Sequence, residues 1–404
     1  MALKYDLLKT EVWDGNMAAS HALRQAQIDV VAAYPITPST PIVQNYGKFL
    51  SDGYIDGEFV MVESEHAAMS ACVGASAAGG RVATATSSQG FALMIEVMYQ
   101  ASGMRVPIVL NLVNRALAAP LNVNGDHSDM YLSRDCGWLN LCTYNPQEAY
   151  DFNLMAFRIA ESTRIPTIVN QDGFICSHTA QNVNPLSDEE AYKFIGEFKQ
   201  KNAMLDFSKP ITYGAQTEED WHFEHKAQLH HDIIKATKTI EEVFGEFAKL
   251  TGRQYSLVEK YDMDDAEVAI VALGTTVESA RIAAKHAREK GIRAGVVSIR
   301  TLRPFPYAQV GEALKNCKAV AMLDRSLPAG AMGMLFNEVG VAILQNSVNK
   351  PILSNYIYGL GGRDMTQDML NKIYKELDDN AKAGKLTHAT QQFVGLRGKE
   401  LAFN

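Results

Sequence analysis

What most constrains the fold of this chain is the rhythm of its first 180 residues, where short apolar runs alternate with longer amphipathic ones. The runs at 28–34, 59–62, 82–86, 107–113 and 166–170 read as buried strands, and 65–78 and 149–161 read as helices. Strands separated by helices of that length predict a mostly parallel sheet covered by helices on both faces. From 181 to 265 the rhythm breaks into polar sequence such as NPLSDEE, FSKPITYG and TEEDWHFEHK. Within it Ile233, Ile234, Ile240, Val243, Phe244, Phe247 and Leu250 fall at helical spacing and predict one amphipathic connecting helix. A second alternation follows, with strands at 267–273, 293–299 and 319–323 and a helix at 276–290, which predicts a smaller α/β domain. No internal repeat or low-complexity tract interrupts the pattern.

A chain of 404 residues is more than one hydrophobic core serves, so several domains are expected. Apolar residues make up 47% and charged residues 21%, as in ordinary globular proteins. The net charge of −8, with no run of Lys or Arg, argues against sequence-independent binding to nucleic acid. No apolar stretch is long enough to span a bilayer, and MALKYDLLKTEVWDGN lacks the apolar centre of a signal peptide. The five cysteines, Cys72, Cys136, Cys142, Cys176 and Cys317, are scattered and form no C-x-x-C pair. That suits a reducing cytoplasm and gives this chain no cysteine-ligated cluster of its own.

Several motifs carry little chemistry. GASAAGG (74–80) has no Lys-Ser/Thr after its glycines and is not a phosphate loop; its small residues suit close helix packing. YGLGGRD (358–364) reads as a tight turn. His222, His225, His230 and His231 have no H-E-x-x-H arrangement and read as solvated surface. GDHSD (125–129) reads as loop capping, with a supporting role beside a site as the second reading.

Three places share one design, a buried strand ending in a polar side chain: VVAAYPIT at Thr37, FVMVESE at Glu65 and PIVLNLVNR at Arg115. In open parallel sheets ligands bind beyond the carboxyl ends of the strands, where these residues are expected. Each also has a structural reading. Thr37 suits a helix N-cap followed by Pro38, and Glu65 suits a first-turn carboxylate facing the helix dipole. Arg115 suits an internal ion pair with Asp126 or Asp129, or an anionic ligand.

Taken together, GNMAASHALRQAQIDVVAAYPITPST, ESEHAAMSACVGASAAGGRVATATSSQGFALM, NRALAAPLNVNGDHSDMY and NQDGFICSH resemble the thiamine-diphosphate-dependent 2-oxoacid:ferredoxin oxidoreductases. Within that family they are nearest the alpha subunits of the multi-subunit, pyruvate-oxidising type (pyruvate synthase). The resemblance covers nearly the whole chain, and YPITPS, SEHAA, SSQG and NRA in that order are its specific signature. It implies an α/β fold with a pyrimidine-binding domain at 1–200, the polar linker at 201–265, and a transketolase C-terminal-like domain at 266–404. It also implies that Thr37 contacts substrate, that Glu65 rather than Glu63 bonds N1′ of the thiamine aminopyrimidine, and that Arg115 grips the substrate carboxylate. The chemistry is consistent with those types. A desolvated carboxylate is a suitable proton partner for the cofactor ring, and a planar guanidinium holds a carboxylate by two parallel hydrogen bonds.

Two absences shape the expected assembly. The chain has no G-D-G…N segment for Mg²⁺ and diphosphate, QDG at 171–173 being a poor substitute, and no cysteine set for [4Fe–4S] clusters. Those groups are expected in beta, gamma and delta partner subunits. The expected reaction is oxidation of pyruvate with coenzyme A to acetyl-CoA and CO₂, electrons passing to ferredoxin or flavodoxin. The alternatives are another 2-oxoacid (branched-chain, 2-oxoglutarate or oxalate), a non-catalytic scaffold of the same fold, or an independent transketolase-like enzyme, which would need its own diphosphate motif.

Overall fold

The computed structural model describes residues 3–398. They divide into two compact units, one formed by residues 3–124, 129–256 and 301–304, the other by residues 125–128, 257–300 and 305–398.

In the first unit the order is β1 (Glu11–Trp13), α1 (Gly15–Gln25), β2 (Val30–Ala33), α2 (Thr40–Ser51), β3 (Glu58–Met61), α3 (Glu65–Ala78), β4 (Val82–Thr86), α4 (Ser88–Met104), β5 (Val109–Asn114), β6 (Leu139–Cys142), α5 (Pro146–Thr163), β7 (Thr167–Asp172), β8 (Gln181–Val183), α6 (Asp188–Ile195) and α7 (Glu219–Thr251). Strands β6, β7, β5, β4, β2 and β3 lie side by side in that order and are mutually parallel. Every residue of β4, β5, β6 and β7 is buried; β4, β5 and β7 overlap the strands expected at 82–86, 107–113 and 166–170, whereas β6 was not among the expected strands. Helix α3 shows why local sequence sets its limits. Ser64 Oγ accepts from Ala67 N at 3.1 Å at the start, and Gly79, with φ +118°, ends it in the left-handed region. Helix α7 buries Ile240, Val243, Phe244 and Phe247 as its spacing predicts, but Ile234 and Leu250 are exposed. It starts at Glu219, far upstream of the apolar stripe, and its four histidines are exposed. Its far end is pinned to α5, where fully buried Asp151 accepts from Arg253 at 2.6 and 2.8 Å and from the Tyr255 hydroxyl at 2.6 Å.

The second unit contains β9 (Val258–Tyr261), β10 (Val268–Ala272), α8 (Thr276–Glu289) and β11 (Ala294–Ile299). The next strand, β12 (Thr301–Arg303), belongs to the first unit's sheet and runs antiparallel beside β6. Then follow α9 (Tyr307–Leu314), β13 (Ala319–Asp324), α10 (Met334–Asn346), β14 (Ile352–Ile357), α11 (Gln367–Ala383) and β15 (Gln391–Phe393). The sheet order is β15-β14-β13-β10-β11-β9, with only β9 antiparallel to its neighbour. Val268, Ile270 and Ala272 of β10 pack with Val277, Ala280 and Ala284 of α8 and with Leu370, Ile373 and Leu377 of α11. Among the described residues no helix is long and apolar enough to cross a membrane.

Candidate active site

Because β7, β5, β4, β2 and β3 are parallel neighbours, the segments that leave their carboxyl ends emerge along one edge. In register, Thr86 pairs with Leu112 and Asn114 with Asp172, so Ser87, Arg115 and Gly173 leave the sheet at adjacent points. The turn after β2 carries Thr37, and the turn after β3 leads into Glu65.

Thr37 does not cap α2. That helix starts at Thr40, with Ser39 in the cap position and Pro41 in the first turn. The Ser39 hydroxyl donates back to Ile36 O at 2.8 Å instead of capping forward. Thr37 is exposed, its peptide bond to Pro38 is cis, and its hydroxyl has no hydrogen-bond partner among the described residues. Its carbonyl is used, accepting from Arg115 Nη1 at 3.0 Å.

Arg115 is 6% exposed, and its guanidinium is held by two neutral acceptors, Asn122 O through Nε at 3.1 Å and Thr37 O through Nη1. The ion-pair reading does not survive. The Asp129 carboxylate accepts the Arg115 backbone N–H at 2.9 Å rather than the guanidinium, and Asp126 accepts from Ser128 N and Gly361 N. Burial lowers the Arg115 pKa, opposed by the Asp129 charge, yet an arginine stays protonated. A buried cation bonded only to carbonyls is arranged to receive an anion.

Glu65 is the first residue of α3, buried at 7% exposure where Glu63 is exposed. Among the described residues its carboxylate accepts no hydrogen bond, and no ion pair joins it to Thr37 or Arg115. The first turn of α4 faces it. A Cβ on Gly90 would stand 2.3 Å from Glu65 Oε1 and 2.6 Å from Thr86 Oγ1, so any side chain there would have to displace them. Thr86 Oγ1 and the adjacent Ser87 Oγ are buried without hydrogen-bond partners among the described residues. A carboxylate with unused acceptor positions, a missing Cβ and two unsatisfied hydroxyls fit the polar edge of a heteroaromatic ring, as the aminopyrimidine of thiamine has.

The structure thus joins Thr37 to Arg115 directly, and Glu65 to them only through the β4–α4 turn and Asp129. Gly90 was not among the residues expected to matter, and Asp129 was weighed only as an ion-pair partner for Arg115. The available signals were the second reading of GDHSD and the glycine of SSQG. QDG, weighed above as a diphosphate motif, has a packing role: a Cβ on Gly173 would come within 2.4 Å of Asn114 O and 3.1 Å of Pro38 Cγ. Among the described residues no group of three or more His, Cys, Asp or Glu side chains could hold a metal ion.

Two solved structures share this fold. A 2-oxoglutarate:ferredoxin oxidoreductase from Magnetococcus marinus superposes with a TM-score of 0.70 at 21% identity, over 91% of this chain and 65% of that one. A split-gene transketolase superposes with a TM-score of 0.55 at 13% identity, over 90% of this chain and 97% of that one. The chain belongs to the pyruvate flavodoxin/ferredoxin oxidoreductase family, whose thiamine-diphosphate-binding model matches residues 21–245, with pyruvate:ferredoxin oxidoreductase core domain II matching 266–370. Subunit PorA of pyruvate synthase from Thermotoga maritima is 44% identical, covering 95% of this chain and 97% of the relative. Subunit VorA of ketoisovalerate oxidoreductase from Pyrococcus abyssi is 39% identical, again over 95% and 97%.

Proposed function

We propose that this chain is the alpha subunit of a cytoplasmic pyruvate:ferredoxin or flavodoxin oxidoreductase and contributes the pyrimidine-facing half of its active site. The observation that carries the reading is Arg115, a buried cation at a strand's carboxyl end with two carbonyls and, among the described residues, no carboxylate on its guanidinium. Its Nη2 and remaining Nη1 protons receive the carboxylate of a 2-oxoacid as a fork. The Thr37 carbonyl fixes the guanidinium, and the Thr37 hydroxyl donates to the same substrate. Glu65 would share one hydrogen bond with N1′ of the aminopyrimidine, donating when its carboxyl is protonated and accepting once N1′ carries the proton. Its burial and the absence of other donors keep it committed to that one partner. Gly90 leaves the room that this contact needs.

Bound thiamine diphosphate supplies the electron sink that lets the bond between the carboxylate and the carbonyl carbon of a 2-oxoacid break. Mg²⁺, the diphosphate contacts and the [4Fe–4S] clusters are assigned to beta, gamma and delta subunits, and coenzyme A takes the acyl group. The 39% identity to a ketoisovalerate oxidoreductase subunit favours a second reading, in which the same clamp serves a branched-chain 2-oxoacid. The test is to purify the complex that assembles on this chain and rank kcat/KM for pyruvate, 2-oxobutyrate, 2-oxoisovalerate and 2-oxoglutarate. Pyruvate first supports the proposal, 2-oxoisovalerate first replaces it with the second reading, and no turnover with any of them sinks both.

A further inference from the structure

The Asp129 carboxylate has no exposure, and it collects four N–H donors from three separate stretches of the first unit. Oδ2 accepts from Ser88 N and Arg115 N, each at 2.9 Å, and Oδ1 accepts from Asn114 Nδ2 at 3.1 Å and Met130 N at 2.7 Å. One oxygen therefore ties the first residue of α4 to the first residue beyond β5. Two further features show that the join is built. Ser87, in the cap position of α4, makes no side-chain capping bond, so a carboxylate from elsewhere in the chain takes that place at the positive end of the helix. Ser88 is held at φ +50°, a conformation disfavoured for a residue with a side chain, and its hydroxyl donates to Ala116 O, on the far side of Arg115.

We infer that Asp129 is the positioning residue that sets the Arg115 guanidinium against the Ser88–Gly90 turn, and so fixes the substrate clamp relative to Glu65. The inference rests on the proposed role of Arg115. Among the described residues the side chain of Arg115 bonds to loop carbonyls alone, so its placement depends on where the backbone of Arg115 is held. Gly90, two residues after Ser88, is the residue against Glu65, so a shift of this turn moves both halves of the site together. Asp129 touches no reacting atom, and its effect passes through these backbones.

The test uses the assembled complex carrying Asp129→Asn, Arg115→Lys, or both. An asparagine keeps one acceptor oxygen and turns an NH₂ toward donors that need acceptors. Asp129→Asn should raise the pyruvate KM roughly 10-fold or more with a smaller change in kcat, the size expected when a charge-assisted contact is misplaced. Amide hydrogen exchange should accelerate at Ser88 and Arg115 and stay unchanged in the second unit. The two substitutions should combine less than multiplicatively, because one acts through the other. An unchanged KM with a lowered melting temperature would leave Asp129 purely structural. Full multiplicativity would overturn the route through Arg115. Failure of the clamp itself reads out separately, as an unchanged KM in Arg115→Lys alone. If Asp129→Asn does not assemble, Asp129→Glu, which keeps the charge but displaces it by one methylene, carries the test: a raised KM in a stable complex supports the inference, and an unchanged KM overturns it.

Discussion

At the scale of single residues, the site depends on a few atoms with unused hydrogen-bonding capacity. Glu65 is the clearest, a buried carboxylate that accepts no hydrogen bond among the described residues. Glu65→Gln keeps the shape and one acceptor but cannot hold the shuttled proton, so turnover of the assembled complex should fall by ~10²-fold or more while cofactor still binds. Near-normal turnover would return Glu65 to the role of a helix-start carboxylate. Gly90→Ala asks the same question from the other side. Its methyl would meet Glu65 Oε1 at 2.3 Å, and the movable partner is the carboxylate. Alanine also favours the helix by about 1 kcal/mol over glycine, so turnover should drop without loss of melting temperature. A fully active Gly90→Ala complex would show that Glu65 need not stand where it does. Thr37 lies outside α2, so Thr37→Ala should leave the melting temperature nearly unchanged and raise the KM for the 2-oxoacid. Lost stability with unaltered kinetics would give the residue a purely structural role.

At the scale of elements, much of the fold could be read in advance where its causes are local. The expected limits of 65–78 coincide with α3 because the cap serine and the left-handed glycine are within a residue of its ends. The strand at 82–86 is equally well placed, its runs of small and β-branched residues being buried throughout. What stayed hidden depends on distant pairing. Nothing in Thr301–Arg303 announces that it leaves one unit to pair antiparallel with β6 in the other unit's sheet, and the donors gathered by Asp129 lie 41 residues upstream as well as next door. Thr37, Glu65 and Arg115 were legible as strand-end residues, but the Thr37–Arg115 bond was not. In the second unit, Asp324 ends β13 and caps α10, accepting from Leu335 N at 2.8 Å, Phe336 N at 3.2 Å and Asn355 Nδ2 at 2.8 Å. Burial pushes its pKa from 3.8 up to about 6, against those donors and the opposing effect of His127. The folded state thus binds this proton more tightly than the unfolded chain does. The associated stability is present below pH 3.8 and is lost as the pH rises through about 6. Asp324→Asn removes that titration. Subtracting its melting curve from that of the parent should leave a difference that moves against the parent between pH 4 and pH 6.5, a window set by the ordinary and raised pKa values. A difference that stays flat across the window would mean that Asp324 is an ordinary charged cap.

At the scale of the whole molecule, the chain's own inventory bounds what it does alone. All five cysteines are buried and, among the described residues, none forms a disulfide; burial raises the thiol pKa of Cys72, Cys136 and Cys317 to about 12, which opposes the thiolate that a cluster requires. Gly173, the nearest thing to a diphosphate motif, is occupied in packing against Asn114 O and Pro38. In the proposed reading the residues suited to thiamine, Glu65 and the Gly90 turn, would meet only its ring edge. The strand at the open edge of the sheet, β3, exposes Val60 and Met61, and the loop after Arg115 exposes Leu121 and Val123, apolar surface that a bound subunit would cover. These points lead to one expectation. Expressed alone, the chain should be colourless from 350 to 500 nm, roughly the region where iron–sulfur proteins absorb, and should bind thiamine diphosphate weakly and without Mg²⁺ dependence. Expressed with its partner subunits, it should copurify as a brown complex holding the cofactor stoichiometrically. The measurement is an absorption spectrum with a parallel titration of thiamine diphosphate, with and without Mg²⁺. Tight, Mg²⁺-dependent binding by the isolated chain would place the diphosphate site within it and remove the need for a partner in the active site. Weak binding that tightens only in the complex assigns the diphosphate half to another subunit, and leaves Glu65, Thr37 and Arg115 as this chain's share of the chemistry.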